Sequence, residues 1–254
     1  MLNNSKRIKK IYEEIQQKIF YAVPGKWEEL YLYASIIDRL GTVQTGEMYF
    51  YFLPKGLLKR KFINVYEVPS KYDIEEEEYM KLVKLLYEQI KENVWVHKSA
   101  TVFESAYLGA PCIIGANTEV RHGAFIRGSA LIGDNCVVGN SVELKNVILF
   151  DCVQTPHYNY VGDSILGYKS HMGAGSITSN VKSDKTLVVV HDGEMNYETG
   201  LKKFGAMLGD YVEVGCNSVL NPGTVIGVHS NVYPVSCVRG VVPDHSIVKS
   251  GGNI

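Results

Sequence analysis

From Val96 to Leu144 every sixth residue is aliphatic: Val96, Val102, Leu108, Ile114, Val120, Ile126, Ile132, Val138 and Leu144. Small and polar residues fill the gaps, and Gly109, Gly115, Gly133 and Gly139 each follow an aliphatic position. The period returns at Leu208, Val214, Leu220, Ile226, Val232 and Val238. A period of six matches neither the 3.6 of a helix nor the 2 of a plain strand. It predicts hexapeptide repeats of a parallel β-helix, three to a coil, with the aliphatic residue inside and the small residues turning the corners. The register breaks twice, between Leu144 and Leu166 and between Met172 and Leu208. Both breaks are expected to leave the coil as loops, where solenoids often carry function.

The pattern changes before residue 93. Ile8, Ile11, Tyr12, Ile15 and Ile19 fall at helical spacing and predict an amphipathic helix over about 5–21, stopped by Pro24 and Gly25. Three strand-like runs follow at 30–37, 47–53 and 61–68, and their short gaps predict an antiparallel meander. Asp73 and Glu76 form a capping box for a second helix, whose apolar face is Tyr79, Leu82, Val83, Leu86 and Ile90. The expected fold is mainly β: a small α+β module (α-β-β-β-α) over 1–92, then the β-helix over 93–254. The terminal helix and the C-terminal tail are expected to cover the ends of the coil.

Composition narrows the function classes. A net charge of -1 gives no electrostatic case for nucleic acid or an anionic membrane as partner. No apolar run follows the charged first twenty residues, so no signal peptide and no membrane span is expected, and the chain reads as cytoplasmic. The cysteines Cys112, Cys136, Cys152, Cys216 and Cys237 include no CxxC pair, so they read as thiols packed in a reduced core.

Two resemblances follow from particular stretches. "IYEEIQQKIFYAVPGKWEELYLYASI", "GEMYFYFLPKG" and "EVPSKYDIEEEEY" resemble the first part of the YezG-like family, immunity proteins of LXG toxins. That implies a protein partner, an LXG-type toxin, for residues 1–92. "VVGNSVELKN", "HYNYVGDSILG", "GAGSITSN" and "LKKFGAMLGDYVEVG" resemble the acetyltransferase domain of bifunctional N-acetylglucosamine-1-phosphate uridyltransferase/glucosamine-1-phosphate acetyltransferase, and its short pyrophosphorylase-like relatives. This second resemblance implies a left-handed coil, a homotrimer, acetyl-CoA as co-substrate and a role in UDP-N-acetylglucosamine and cell-envelope precursor synthesis.

Carried onto this chain, the resemblance makes His157 the general base. It makes Arg127, Lys145, Tyr160 and Lys203 contacts to the sugar phosphate, and places Ala174 and Asn180 near acetyl-CoA. His171 stands where the family has a sugar-contacting asparagine, Cys216 where it has a serine near the coenzyme, and Val181 replaces an aromatic. The chemistry is coherent. Cations and a phenol suit a phosphate dianion. An imidazole suits removal of a proton from an attacking amine, and a backbone N–H near Ala174 suits an oxyanion.

Each residue also has a plainer reading: His157 as a surface histidine, Arg127 and Lys145 as solvated charges on a coil. His157 and His171 lack the close histidine pair of a γ-class carbonic anhydrase, so no metal is expected. Residues 1–92 hold no Gly-rich loop, so no nucleotidyl transfer is expected. Two functions remain: acetyl transfer to an amino-sugar phosphate, or a non-catalytic trimeric scaffold displaying the YezG-like module.

Overall fold

Residues 49–52, 59–62, 87–193 and 195–249 are described by the computed structural model of the chain. The expected helix at 5–21, the run at 30–37 and the second helix as far as Leu86 lie outside these residues. Strand β1 (Tyr49–Phe52) pairs antiparallel with β2 (Lys59–Phe62), Tyr49 opposite Phe62. Strand β1 lies within the second expected run, while β2 shares only Lys61 and Phe62 with the third, whose remainder falls outside the described residues.

The second helix does not reach Ile90. Residues Tyr87–Lys91 form strand β3, which turns at Glu92 and Asn93 and pairs antiparallel with β4 (Val94–His97). Asn93 takes the left-handed conformation (φ 56°) that such a turn needs. The buried Tyr87 ring packs edge-on against His97, while Ile90 is exposed. Edge pairing with β4 has overridden a helical spacing that fits only one residue of this segment. Strand β3 thus lies along the first rung, and the N-terminal helix expected to cover this end falls outside the described residues.

From β4 onward the chain is a left-handed parallel β-helix of about eight coils. Val96, Ile114 and Ile132 stack on the first face, Val102, Val120 and Val138 on the second, Leu108, Ile126 and Leu144 on the third. The period-six positions form one continuous core, in which only Val102 keeps partial exposure. Each fully buried aliphatic side chain stabilises the coil by about 1.5–3 kcal/mol.

The glycines after the aliphatic residues serve closeness rather than turning. Gly109 and Gly139 do not have positive φ. A Cβ on Gly109 would lie 2.5 Å from the Arg127 carbonyl oxygen, and one on Gly139 would overlap the backbone of Pro156. The left-handed corners are held mostly by other residues, among them Asn117, Asn135, Tyr158, Asn217, His229 and His245. Asn is well suited to that conformation.

The first register break is not a loop. Leu144 pairs with Val161 and Leu149 with Leu166, so these coils run seventeen residues where the regular ones run eighteen. The missing residue lies at the corner between the third and first faces, where strands Glu143–Leu149 and Tyr160–Leu166 run straight through. Thr178 takes an inward position there, and its hydroxyl accepts from the Gly162 N–H at 2.9 Å.

The second break is a true excursion. It leaves after Thr178 and returns at Ala206, stacking Leu208 on Leu166. It carries an antiparallel hairpin, Val189–Asp192 with Met195–Glu198. Val188, Val190 and Phe204 fold back onto Ile165, Met207 and Val225, making a second small core on the outer side of the first face.

Another corner is tied by aspartates. Asp134, Asp151, Asp210 and Asp244 each accept a backbone N–H from the preceding coil, Asp210 from Tyr168 at 2.7 Å. Burial pushes the Asp210 carboxyl up to about 6, against the opposing pull of that N–H. Its folded value lies above its unfolded one, so its contribution to stability is fully present below about pH 4 and is lost as pH rises through about 6. Asp210→Asn keeps an acceptor and removes the buried charge. It is expected to raise the melting temperature at pH 7.5, by up to about 3 kcal/mol of stability. Melts at pH 7.5 and 5 should show the gain shrink as the wild-type carboxyl protonates.

Candidate active site

His157 ends strand Gln154–His157 at the corner between the second and third faces. Its exposed ring has no hydrogen-bond partner among the described residues, while its backbone is fixed. The His157 N–H donates to Asn159 Oδ1 at 3.2 Å, and buried Asn159 donates through Nδ2 to the carbonyls of Gly173 (2.8 Å) and Ser176 (3.1 Å) on the next coil. Asn159 was not among the sequence candidates, and it sets where the imidazole stands.

Ala174 lies directly over His157: the Gly175 N–H donates to the His157 carbonyl at 3.0 Å. The coil after that brings Cys216, since the Asn217 N–H donates to the Ala174 carbonyl at 2.9 Å. His157, Ala174 and Cys216 therefore form one column on three successive coils. The Ala174 N–H has no acceptor among the described residues. The column thus sets an open amide beside a one-carbon side chain and an exposed thiol.

The next corner gathers a second set. Buried Asp163 accepts from Lys145 Nζ at 3.1 and 3.3 Å, from Asn146 Nδ2 at 2.8 Å and from Asn180 Nδ2. Asn180 Nδ2 also donates to the Tyr160 hydroxyl at 3.1 Å. Burial raises the Tyr160 phenol, and the Asp163 and Glu143 carboxylates add to this, while Asn180 and Arg127 work against it. Arg127 pairs with Glu143 at 2.9 Å on the exposed side. Gly162 makes the cluster possible: a Cβ there would lie 2.5 Å from the Tyr160 hydroxyl oxygen.

The side chain of Asn180, expected near acetyl-CoA, thus belongs with Tyr160 and Lys145. Exposed Lys203 sits at the return of the excursion, where the Phe204 N–H donates to the Asn180 carbonyl and the Gly205 N–H to the Asp163 carbonyl. His171 is apart from both sets, paired with Glu213 at 2.8 Å on the second face. Among the described residues no group of three or more His, Cys, Asp or Glu side chains is arranged to hold a metal. Of the cysteines only Cys112 and Cys136 are buried, and burial pushes the Cys112 thiol up to about 12; Cys216 and Cys237 are exposed, contrary to the expectation of packed thiols.

The model of the family described as GMPPB C-terminal domain matches residues 110–250. The chain belongs to the GMPPB C-terminal domain family. The model described as Immunity protein YezG-like matches residues 8–103, so both resemblances seen in the sequence are found. The chain is 29% identical over 151 residues to a bifunctional sugar-1-phosphate nucleotidylyltransferase/acetyltransferase of Sulfurisphaera tokodaii, covering 59% of this chain and 38% of that protein. It is 34% identical over 106 residues to the bifunctional protein GlmU of Methanococcus maripaludis, covering 42% of this chain and 26% of that protein. The chain thus spans well under half the length of these relatives. PerB from Caulobacter crescentus, solved in complex with CoA and GDP-perosamine, is 18% identical with a TM-score of 0.30, covering 63% of this chain and 56% of that one. No helix among the described residues is long and apolar enough to cross a membrane.

Proposed function

We propose that this chain is an N-acetyltransferase acting on an amino-sugar phosphate of the glucosamine 1-phosphate type, with acetyl-CoA as donor. The observation that carries this reading is the column of His157, Ala174 and Cys216, one corner away from the Lys145–Asp163–Asn180–Tyr160 cluster. Acetyl-CoA supplies an activated acyl carbon. The His157 ring takes a proton from the sugar amine as its nitrogen bonds to that carbon. The Ala174 N–H donates to the oxygen as it gains charge, and His157 then returns the proton to the departing sulfur. Fixing this geometry in advance removes reorganisation from the reacting step. The amine becomes an amide and the thioester a free thiol, so atoms and protons balance.

The acceptor corner suits a phosphate only after rearrangement at its exposed edge. Arg127 is held by Glu143 and Lys145 by Asp163. The Arg127–Glu143 pair is solvent-exposed and weak, so an incoming dianion can displace Glu143. Lys145 keeps its buried partner and meets the ligand with its remaining donors, with Lys203 close by. In this reading the protein works as a cytoplasmic homotrimer in nucleotide-sugar precursor synthesis.

The test is thiol release from acetyl-CoA with glucosamine 1-phosphate and a small panel of amino-sugar phosphates. Release that depends on both substrates supports the reading, and none across the panel sinks it. The YezG-like match over residues 8–103 favours a second reading, a β-helix scaffold presenting a binding module to an LXG-type toxin. Capture of such a toxin domain by a chain that releases no thiol would decide for it.

A further inference from the structure

Asn146, Asp163 and Asn180 stand seventeen residues apart, stacked at the corner that the short coils create. The middle member is a carboxylate with almost no exposed surface. Each Asp163 oxygen meets two N–H contacts: Oδ1 faces Asn146 and Lys145, Oδ2 faces Lys145 and Asn180. A carboxylate only accepts, so both amides must turn Nδ2 toward it. The Nδ2 of Asn180 has two hydrogens, one for Asp163 and one for the Tyr160 oxygen. With its oxygen accepting, the Tyr160 hydroxyl has its own hydrogen left to donate outward. The backbone of Asp163 adds a further tie, because its carbonyl holds Gly205 at 2.8 Å and so anchors the stretch that bears Lys203.

We infer that Asp163 is the positioning residue of the acceptor corner: it aims Lys145 and, by holding Asn180, the Tyr160 hydroxyl at one bound ligand oxygen. The inference rests on the acyl-transfer reading for the identity of that ligand, but not for the aiming itself. Lys145 and Asn180 meet the Asp163 carboxylate directly, Tyr160 is reached through Asn180, and the stretch that bears Lys203 is tied to the Asp163 carbonyl. A buried charge has no reason to stand in a short corner unless it holds something, since burying an unpaired carboxylate is strongly unfavourable. Saturating it leaves the ammonium and phenol fixed, with their other donors facing outward.

Asp163→Asn tests this with little backbone change, because Asp163 lies at φ 50° and Asn tolerates that conformation. The first readout is titration of Tyr160 by NMR of ring-labelled tyrosine, assigned with Tyr160→Phe. The carboxylate opposes phenolate formation, so the Tyr160 titration is expected to move lower in Asp163→Asn. The second readout is kinetic: the acceptor KM is expected to rise roughly tenfold with kcat within about twofold, the mark of lost positioning contacts present in ground and transition states alike. If the wild type releases no thiol, acyl transfer fails as a reading and the NMR titration alone decides the aiming. An unmoved Tyr160 overturns the inference. Should Asp163→Asn not fold, Asn180→Ala cuts the same link from its partly exposed end. There the Tyr160 titration is expected to rise, since a donor to the phenol oxygen is gone, and no change again overturns the inference.

Discussion

His157→Ala is expected to lower kcat by about 10²–10⁴-fold, the usual worth of a positioned general base. The melting temperature should hold, because the ring is exposed and makes no hydrogen bond among the described residues. Substitutions at such sites move stability by roughly 0.5 kcal/mol or less. The comparison is thiol release against thermal melts for the same two proteins. Retained turnover would remove His157 from the reaction. Turnover lost together with the fold would mean that the corner needs the ring for packing, contrary to its exposure. A toxin-binding role of residues 1–92 should not respond to this change at all.

Gly139→Ala is expected to destabilise the fold by about 3 kcal/mol or more, as forced overpacking against rigid neighbours does. For a domain of this size that is a fall of about 6–12 °C in Tm. The added methyl meets the backbone of Pro156, which no side-chain rotation can move aside. Pro156 precedes His157, so relief of the clash also shifts the base, and kcat should fall with stability. Gly193→Ala is the control: φ is 57° but nothing lies near the added methyl, so only conformational strain of about 1–2 kcal/mol applies. A Gly139→Ala protein that melts with the wild type would show that the coils can part at Pro156 without cost.

The coil could be read in the sequence because its core is one-dimensional: a single inward position per hexad, repeated in register, leaves a period that nothing else produces. The same logic explains the misreading between Leu144 and Leu166. There the coil loses one residue and Thr155 takes an inward place, so the aliphatic period stops although the coil does not. Asn146, Asp163 and Asn180 are three polar residues seventeen apart in the sequence, but their spacing does not show that the middle one is a buried anion holding the other two. The resemblance names His157 and Ala174, and the coil stacks the two in one column. His171 was carried over by position alone, and its nearest charged partner proved to be Glu213. The strand at Tyr87–Lys91 was hidden because its partner lies across a turn, and spacing within five residues cannot separate helix from strand.

A ladder of parallel rungs has no natural last member: whatever pairs rung with rung inside the molecule can also pair the first rung of one molecule with the last rung of another. The antiparallel β3 breaks that sequence. It occupies the free edge of β4 in the opposite direction, and it brings exposed Glu88 and Lys91, with Lys91 Nζ 4.6 Å from the centre of the Tyr107 ring on the third face. The other two faces begin with rungs of two residues, Thr101–Val102 and Tyr107–Leu108, which offer little backbone to a newcomer. The direction of five residues therefore works against end-to-end growth at this end of the coil.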